Sequence, residues 1–400
     1  MHAVDRRRFL TRASGAALAA VAHQTAMSQT EAPEITLFVC GDVMTGRGVD
    51  QILPHPGDPR LHERYMGSAR GYVDLAEAHG GAIRKPVDYA YVWGDTPAEI
   101  AHAGARMRIV NLETAVTTSE DAWPGKSIHY RMHPDNVPCL TAARIDCCTL
   151  ANNHVLDWGY RGLAQTLATL HAAGIATAGA GNDQAQAEAP AVLRASGDAR
   201  VLVFAFGTAS AGVPREWAAR GTRGGVSYLD DLSMRTLDTV AQRVAAHKRG
   251  GDLAVASIHW GANWGYEVSD EARAFAHALI DRARISLVLG HSSHHPKGIE
   301  IYRGRQILYG CGDYLDDYEG IGGHESFRPE LALAYFPTFD MASGRFARFI
   351  ATPMEIRNLR TVRASRNDAR WLADRLDRES APFGTVLARR EDDRIAVRGP

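Results

Sequence analysis

Six times along this chain a short apolar or β-branched run ends in a polar cluster, and that rhythm constrains the fold more than any other feature. Residues 35–40 lead into Gly41-Asp42, 107–110 into Asn111-Leu112-Glu113, and 145–150 into Ala151-Asn152-Asn153-His154. Further on, 253–258 lead into His259-Trp260-Gly261, 285–289 into Gly290-His291, and 306–309 into Gly310-Cys311-Gly312-Asp313. Between them 160–173, 234–248 and 270–284 carry apolar residues three and four apart, the period of a helix with one buried face. Strands alternating with helices in this way predict an α/β domain with a largely buried sheet.

The chain has 400 residues, 45% of them hydrophobic, enough for one large domain or two small ones. With 23% charged residues and no low-complexity block, disordered and fibrous classes are excluded. No apolar run reaches the roughly 18 residues a membrane span needs, which excludes a multi-span protein. Lys and Arg number 45 against 46 Asp and Glu, a formal charge of −1. That balance gives no global sign of nucleic-acid or membrane-surface binding, although a total says nothing about local clusters. Cys40, Cys139, Cys147, Cys148 and Cys311 are odd in number and mostly sit in apolar runs without a C-x-x-C. Buried free thiols are therefore expected, not a disulfide framework or a thiolate zinc site.

Residues 1–22 read as an export signal. Arg6-Arg7-Arg8-Phe9-Leu10 precedes a small, weakly apolar run that ends Ala20-Val21-Ala22, the layout of a twin-arginine signal, with Asp5 where Ser or Thr is usual. The expectation is an exported protein, periplasmic or at the cell surface. The main domain is expected over 33–356. The segment 50–105 breaks the rhythm with Pro54-His55-Pro56-Gly57-Asp58-Pro59 and reads as an insertion folded over one rim of the sheet. Residues 331–339 and 346–356 read as further strands, and 357–400 as a helical tail.

Open α/β sheets bind ligands where the loops leave the carboxyl ends of their strands. Those ends here carry Asp42, Asn111 and Glu113, Asn153 and His154, His259, His291 and His294, and Asp313. Imidazoles, carboxylates and an amide oxygen make a ligand set suited to first-row transition metals. Each has a plainer reading. Asp42 could cap a helix or turn, Asn152 and Asn153 could bond their own backbone in a turn, and a lone His259 could be a satisfied half-buried residue. Three imidazoles in Gly290-His291-Ser292-Ser293-His294-His295 are harder to dismiss, and repetition at strand after strand favours a shared site.

In this order, Gly41-Asp42-Val43-Met44, Asn111-Leu112-Glu113, Ala151-Asn152-Asn153-His154, a lone His259 and Gly290-His291-Ser292-Ser293-His294 resemble the motifs of the CapA family of capsule or poly-γ-glutamate synthesis proteins. The resemblance spans about residues 35–317. It implies a calcineurin-like metallophosphoesterase fold, a four-layer α/β/β/α sandwich with a metal centre at one end. Carried over residue by residue, Asp42 and His294 would bind one ion, Asn153, His259 and His291 a second, and Glu113 would bridge. His154 would contact substrate or protonate the leaving group, with Asp157 orienting it. The sequence departs from the wider superfamily at Met44, where a ligand His is expected, and in the Asn-Leu-Glu bridging motif. It also departs in the two-residue gap between His291 and His294.

Arg47 and Arg131 are candidates for holding an anionic substrate, since guanidinium forks match phosphate and carboxylate; ordinary salt bridges are the alternative. Trp260 and Trp264 either wall the pocket or pack the core. Asp313 is expected to accept from a metal-bound imidazole. Three functions follow. One is a hydrolase using one or two ions of Mn, Fe or Zn on a phosphoester or glutamyl amide, with capsule-synthesis membrane proteins as partners and no nucleic acid. The second is a non-catalytic polymer-binding component with a vestigial site, and the third a metal-binding structural domain.

Overall fold

The computed structural model describes residues 34–195 and 199–398; the signal read at 1–22 lies outside them. Two β-sheets stack face to face. The larger, of ten strands, runs in the order Leu387–Arg389, Ile395–Val397, Phe346–Ile356, Leu331–Asp340, Glu34–Val43, Met107–Leu112, Cys147–Thr149 and Ala176–Ala178. Asp313–Leu315 joins it beside Glu34–Val43, and Thr361–Arg363 beside Phe346–Ile356. The smaller, of seven, centres on Arg200–Thr208, Leu253–His259, Leu287–His291 and Arg305–Leu308, all parallel.

The period-two alternation explains the layering. Leu37 and Val39 point between the sheets, where they meet Val201, Val203, Val255 and Leu289. Phe38 and Cys40 point outward into a second core under the helices Arg70–Gly80, Thr96–Ala103 and Gly159–Ala172. On the other side Leu202 and Phe204 face outward against Met234–His247 and Asp270–Ala283. Both faces of each sheet are buried, so the strands read as nearly continuous apolar runs. The result is the expected four-layer α/β/β/α sandwich. All five cysteines are free and buried.

The segment 50–105 does more than fold over a rim. Val73, Ala76, Val92, Trp93 and Ile100 belong to the outer core of the larger sheet. The C-terminal segment also differs from a helical tail. It holds the helix Arg366–Ser380, but Thr361–Arg363, Leu387–Arg389 and Ile395–Val397 extend the larger sheet. Glu99 pins it, with buried Arg394 Nη2 2.7 Å from its Oε2 and half-buried Arg363 Nη1 3.1 Å from its Oε1. The strand signals in this tail are three residues each, too short to show a period.

Register brings the polar ends level. Asp42 pairs with Asn111 on one side and with Asp313 on the other, while His259 pairs with His291 in the second sheet. A bulge at Asp42 breaks the ladder and re-aims that side chain, as bulges beside functional sites do. Gly41 permits this. A Cβ there would lie 1.9 Å from the Gly312 carbonyl oxygen, which accepts from the Asp42 amide at 2.9 Å. Gly41→Ala should therefore cost about 3 kcal/mol of stability or more, since the obstacle is backbone, while Gly67→Ala, with open space around it, should cost under about 1 kcal/mol. Urea denaturation midpoints of the two variants check this, and equal midpoints would refute it.

Candidate metal centre

Asp42 is fully buried and takes three donors. The Asn111 amide donates to its Oδ1 at 2.7 Å, His291 Nδ1 lies 2.8 Å from the same oxygen, and the Ser292 amide donates to Oδ2 at 3.1 Å. Burial alone would raise its pKa, but the His291 hydrogen bond and the nearby imidazoles hold it below the usual carboxylate range. Glu113, just past the neighbouring strand, is in the opposite state. Burial and then the Asp42 carboxylate push it well above its ordinary value, and its Oε2 has no hydrogen-bond partner.

His259 places Nε2 3.0 Å from Asn153 Oδ1 and 3.8 Å from Glu113 Oε1. Ligand atoms of Asp42, Glu113 and His259 lie within 4.8 Å of one another. A buried carboxyl with an orphaned oxygen between a second carboxylate and an imidazole is costly as a bare arrangement. A divalent cation at that point would reverse the cost, because it inverts the local preference for a proton. The donor set of two carboxylates, an amide oxygen and imidazoles fits such an ion.

His154 stands on the other side of Glu113, with Nε2 3.8 Å from Glu113 Oε1. Its Nδ1 lies 2.6 Å from Asp157 Oδ2, so the neutral ring donates there and leaves Nε2 as the free atom. Burial lowers the ring's pKa to about 4, and that of His259 to about 3. His294 forms a separate arm. Its Nδ1 donates to Asp313 at 2.9 Å, and Nε2 accepts from the Asn263 amide at 3.0 Å. Burial opposes charge on His294, but the Asp313 carboxylate outweighs it and raises its pKa. His295 accepts from the Gly265 amide at 3.1 Å, a structural role.

Thus Asp42, Glu113, Asn153, His154, Asp157, His259 and His291 form one connected cluster, with His294 joined through Asp313 beside Asp42. The arginines stand apart from it. Arg47 is buried, bonded to Asp317, to Glu63 at 2.8 Å and to Tyr72 Oη at 3.1 Å. It still lines a cavity of about 170 Å³ that opens beside His294, with Tyr130, Trp264 and Tyr318. Arg131 stacks 3.9 Å over Trp158 and donates to the Ser119 carbonyl at 2.8 Å, with no bond to the cluster among the described residues. The two tryptophans divide. Trp260 is core and donates to the Tyr309 carbonyl, whereas Trp264 walls the cavity. Met44 is buried, its sulfur 3.5 Å from Tyr318 Oη.

Sequence reasoning missed Lys126. Its ammonium donates to Asp157 Oδ1 and sits 3.0 Å from His154 Nδ1. One lysine in an irregular loop carries no periodic signal, and only tertiary proximity reveals it. Tyr130 was also missed, although its amide donates to Asp157 Oδ2 at 2.7 Å and its ring meets His154 edge-on.

A layered α/β sandwich with a buried carboxylate–imidazole cluster at the carboxyl ends of its parallel strands is the class that fold and site define. Residues 36–318 match the family described as bacterial capsule synthesis protein PGA_cap, and the chain belongs to that family. It is 50% identical over 364 residues to the probable polyglutamine synthesis accessory protein of Mycobacterium tuberculosis, covering 91% of this chain and 96% of that one. It is 25% identical over 247 residues to the PGA biosynthesis protein CapA of Bacillus subtilis, covering 62% and 60%. A solved phosphatase structure from Mycoplasma pneumoniae aligns over 81% of this chain and 94% of that one at 12% identity. The two align with a TM-score of 0.45. Among the described residues no helix is long and apolar enough to cross a membrane.

The depressed imidazoles set an acid limit. The unfolded chain protonates both rings near pH 6.5, while the folded chain resists until about 4 for His154 and about 3 for His259. Stability is unaffected above that window and falls as pH drops through it, by about 1.4 kcal/mol per pH unit for each ring. Urea midpoints of chelator-treated protein between pH 7 and 5 should show this fall, and His154→Gln should reduce its slope by about half, leaving the part due to His259. An unchanged slope in that variant would refute the assignment.

Proposed function

We propose that this chain is an exported, metal-dependent hydrolase of capsule or poly-γ-glutamate-type polymer biosynthesis, cutting a phosphoester or a glutamyl amide. The observation that carries the reading is Glu113, buried with one oxygen unpartnered between Asp42 and His259. Asp42, Glu113, Asn153, His259, His291 and His294 would hold one or two divalent ions of the Mn, Fe or Zn class. Such an ion supplies a Lewis acid and makes a water-derived nucleophile available near neutral pH.

The protein's own part is positioning and proton movement. Asp157 fixes His154 so that the unprotonated Nε2 faces the cluster, where it would take a proton from the attacking water and pass it to the leaving group. Lys126 and the Tyr130 amide hold Asp157 in turn. Asp313 orients His294, and the cavity beside it offers an aromatic wall to the substrate. The names of the mycobacterial and Bacillus relatives support a place in polymer synthesis; capsule-synthesis membrane proteins would be the partners there. Met44 favours a second reading, a polymer-binding component without catalysis. Met44 stands in the sequence where the wider superfamily motif has a ligand His, and a thioether suits hard cations poorly.

Metal content by plasma mass spectrometry, on chain purified without chelators, separates the two. One or two ions per chain are expected, lost in His259→Ala/His291→Ala. Glu113→Gln should then cut hydrolysis of aryl phosphates or glutamyl amides by about a hundredfold or more. A chain that holds no ion after soaking in Mn²⁺ and Zn²⁺ would sink the hydrolase and leave the binding component.

A further inference from the structure

At the end of the sandwich opposite Asp42, the loops that enter Leu253–His259, Leu287–His291 and Arg305–Leu308 enclose a cavity of about 740 Å³. Lys248, Arg249, Arg282, Arg284 and Arg305 line it. Among the described residues, Arg282 has a carboxylate partner in Asp238, while Lys248, Arg249, Arg284 and Arg305 have none at ion-pair distance. Asp252 is the one acid lining the cavity, and it is already engaged. Its Oδ1 accepts from Arg200 Nε at 3.0 Å, and its Oδ2 from Arg200 Nη2 and from the Arg249 amide at 2.7 Å.

Lys248 donates to the Asp252 carbonyl, and Arg305 to the Gly304 and Ser343 carbonyls at 3.1 and 2.7 Å. Backbone dipoles aside, these four cations have no carboxylate of their own, and their like charges repel. Burial first, then the like charges of Arg305 and Arg284, lower the pKa of Lys248 in spite of Asp252. Arg284 also holds φ at +56° as the C-cap of Asp270–Ala283, a left-handed position that glycine occupies at lower cost. The hydroxyl-bearing Ser286 and Ser343 complete the lining. The rim is open, since a Cβ at Gly250 or Gly251 would meet nothing within 4 Å. The near-zero total charge of the chain conceals this concentration.

We propose that this cavity is a binding site for a compact multivalent oxyanion of the phosphate class, either a free oligophosphate or a phosphorylated lipid headgroup. Guanidinium forks and serine hydroxyls match phosphate oxygens, and one such group brings several negative charges to a point where a carboxylate brings one. The site is independent of the cluster around Asp42.

Two measurements on the whole chain test it. Calorimetric titration with tripolyphosphate reads the free ligand, and cosedimentation with cardiolipin vesicles in phosphatidylcholine reads the headgroup. Saturable binding in at least one arm is expected. It should weaken about tenfold or more in Arg249→Ser/Arg284→Ser and with added salt, and survive in Arg249→Lys/Arg284→Lys. Both arginines are exposed, so the variants should keep the wild-type unfolding temperature, which is measured alongside. Tripolyphosphate binding alone identifies a free oligophosphate; vesicle binding lost in the serine variant identifies the headgroup. Absence of binding in both arms, or binding indifferent to the serine substitutions, overturns the proposal.

Discussion

The Asp42 carboxylate ties the two sheets together at their carboxyl ends. It belongs to the larger sheet, yet it accepts from His291 and the Ser292 amide of the smaller one as well as from Asn111 beside it. Apolar packing between the sheets supplies most of the attraction but is indifferent to small slips along the strands. Hydrogen bonds to a buried charge are not indifferent, because each unmade bond would strand a desolvated oxygen. The three donors fix the sheets in the one alignment that places His259, Glu113 and Asn153 around a common point.

The cluster is built from opposed preferences. Asp42 stays charged because its neighbours donate to it, and Glu113 is driven toward protonation because burial and Asp42 oppose a second charge. Such a pair, one satisfied and one frustrated, stores an affinity for a cation in the fold itself. The same logic operates at the opposite end with the sign reversed, where cations crowd around a cavity that offers them no free carboxylate.

Much of the architecture was legible because both faces of each sheet are buried. The runs 35–40, 253–258 and 285–289 could hardly be anything but interior strands, and their polar ends marked the site. Asp313 as the partner of an imidazole followed from chemistry alone. The rest depended on contacts between distant residues. Lys126 reached Asp157 through an irregular loop, and Arg47 read equally as an anion-binding residue or a salt-bridge partner until the fold brought Asp317, some 270 positions later, to its fork. The short tail strands were invisible because three residues cannot show alternation.

The strand Leu331–Asp340 carries one more consequence. It pairs with Glu34–Val43 along most of its length, but it lies beyond residue 318, where the family match stops. A fragment cut to the matched region would keep every residue of the metal cluster and lose the neighbour of the strand that presents Asp42. That strand would become a long apolar edge, open to pairing with another copy. The unit that inheritance conserves in name is thus smaller than the unit that folds, and anyone expressing this protein should carry the chain through to Val397.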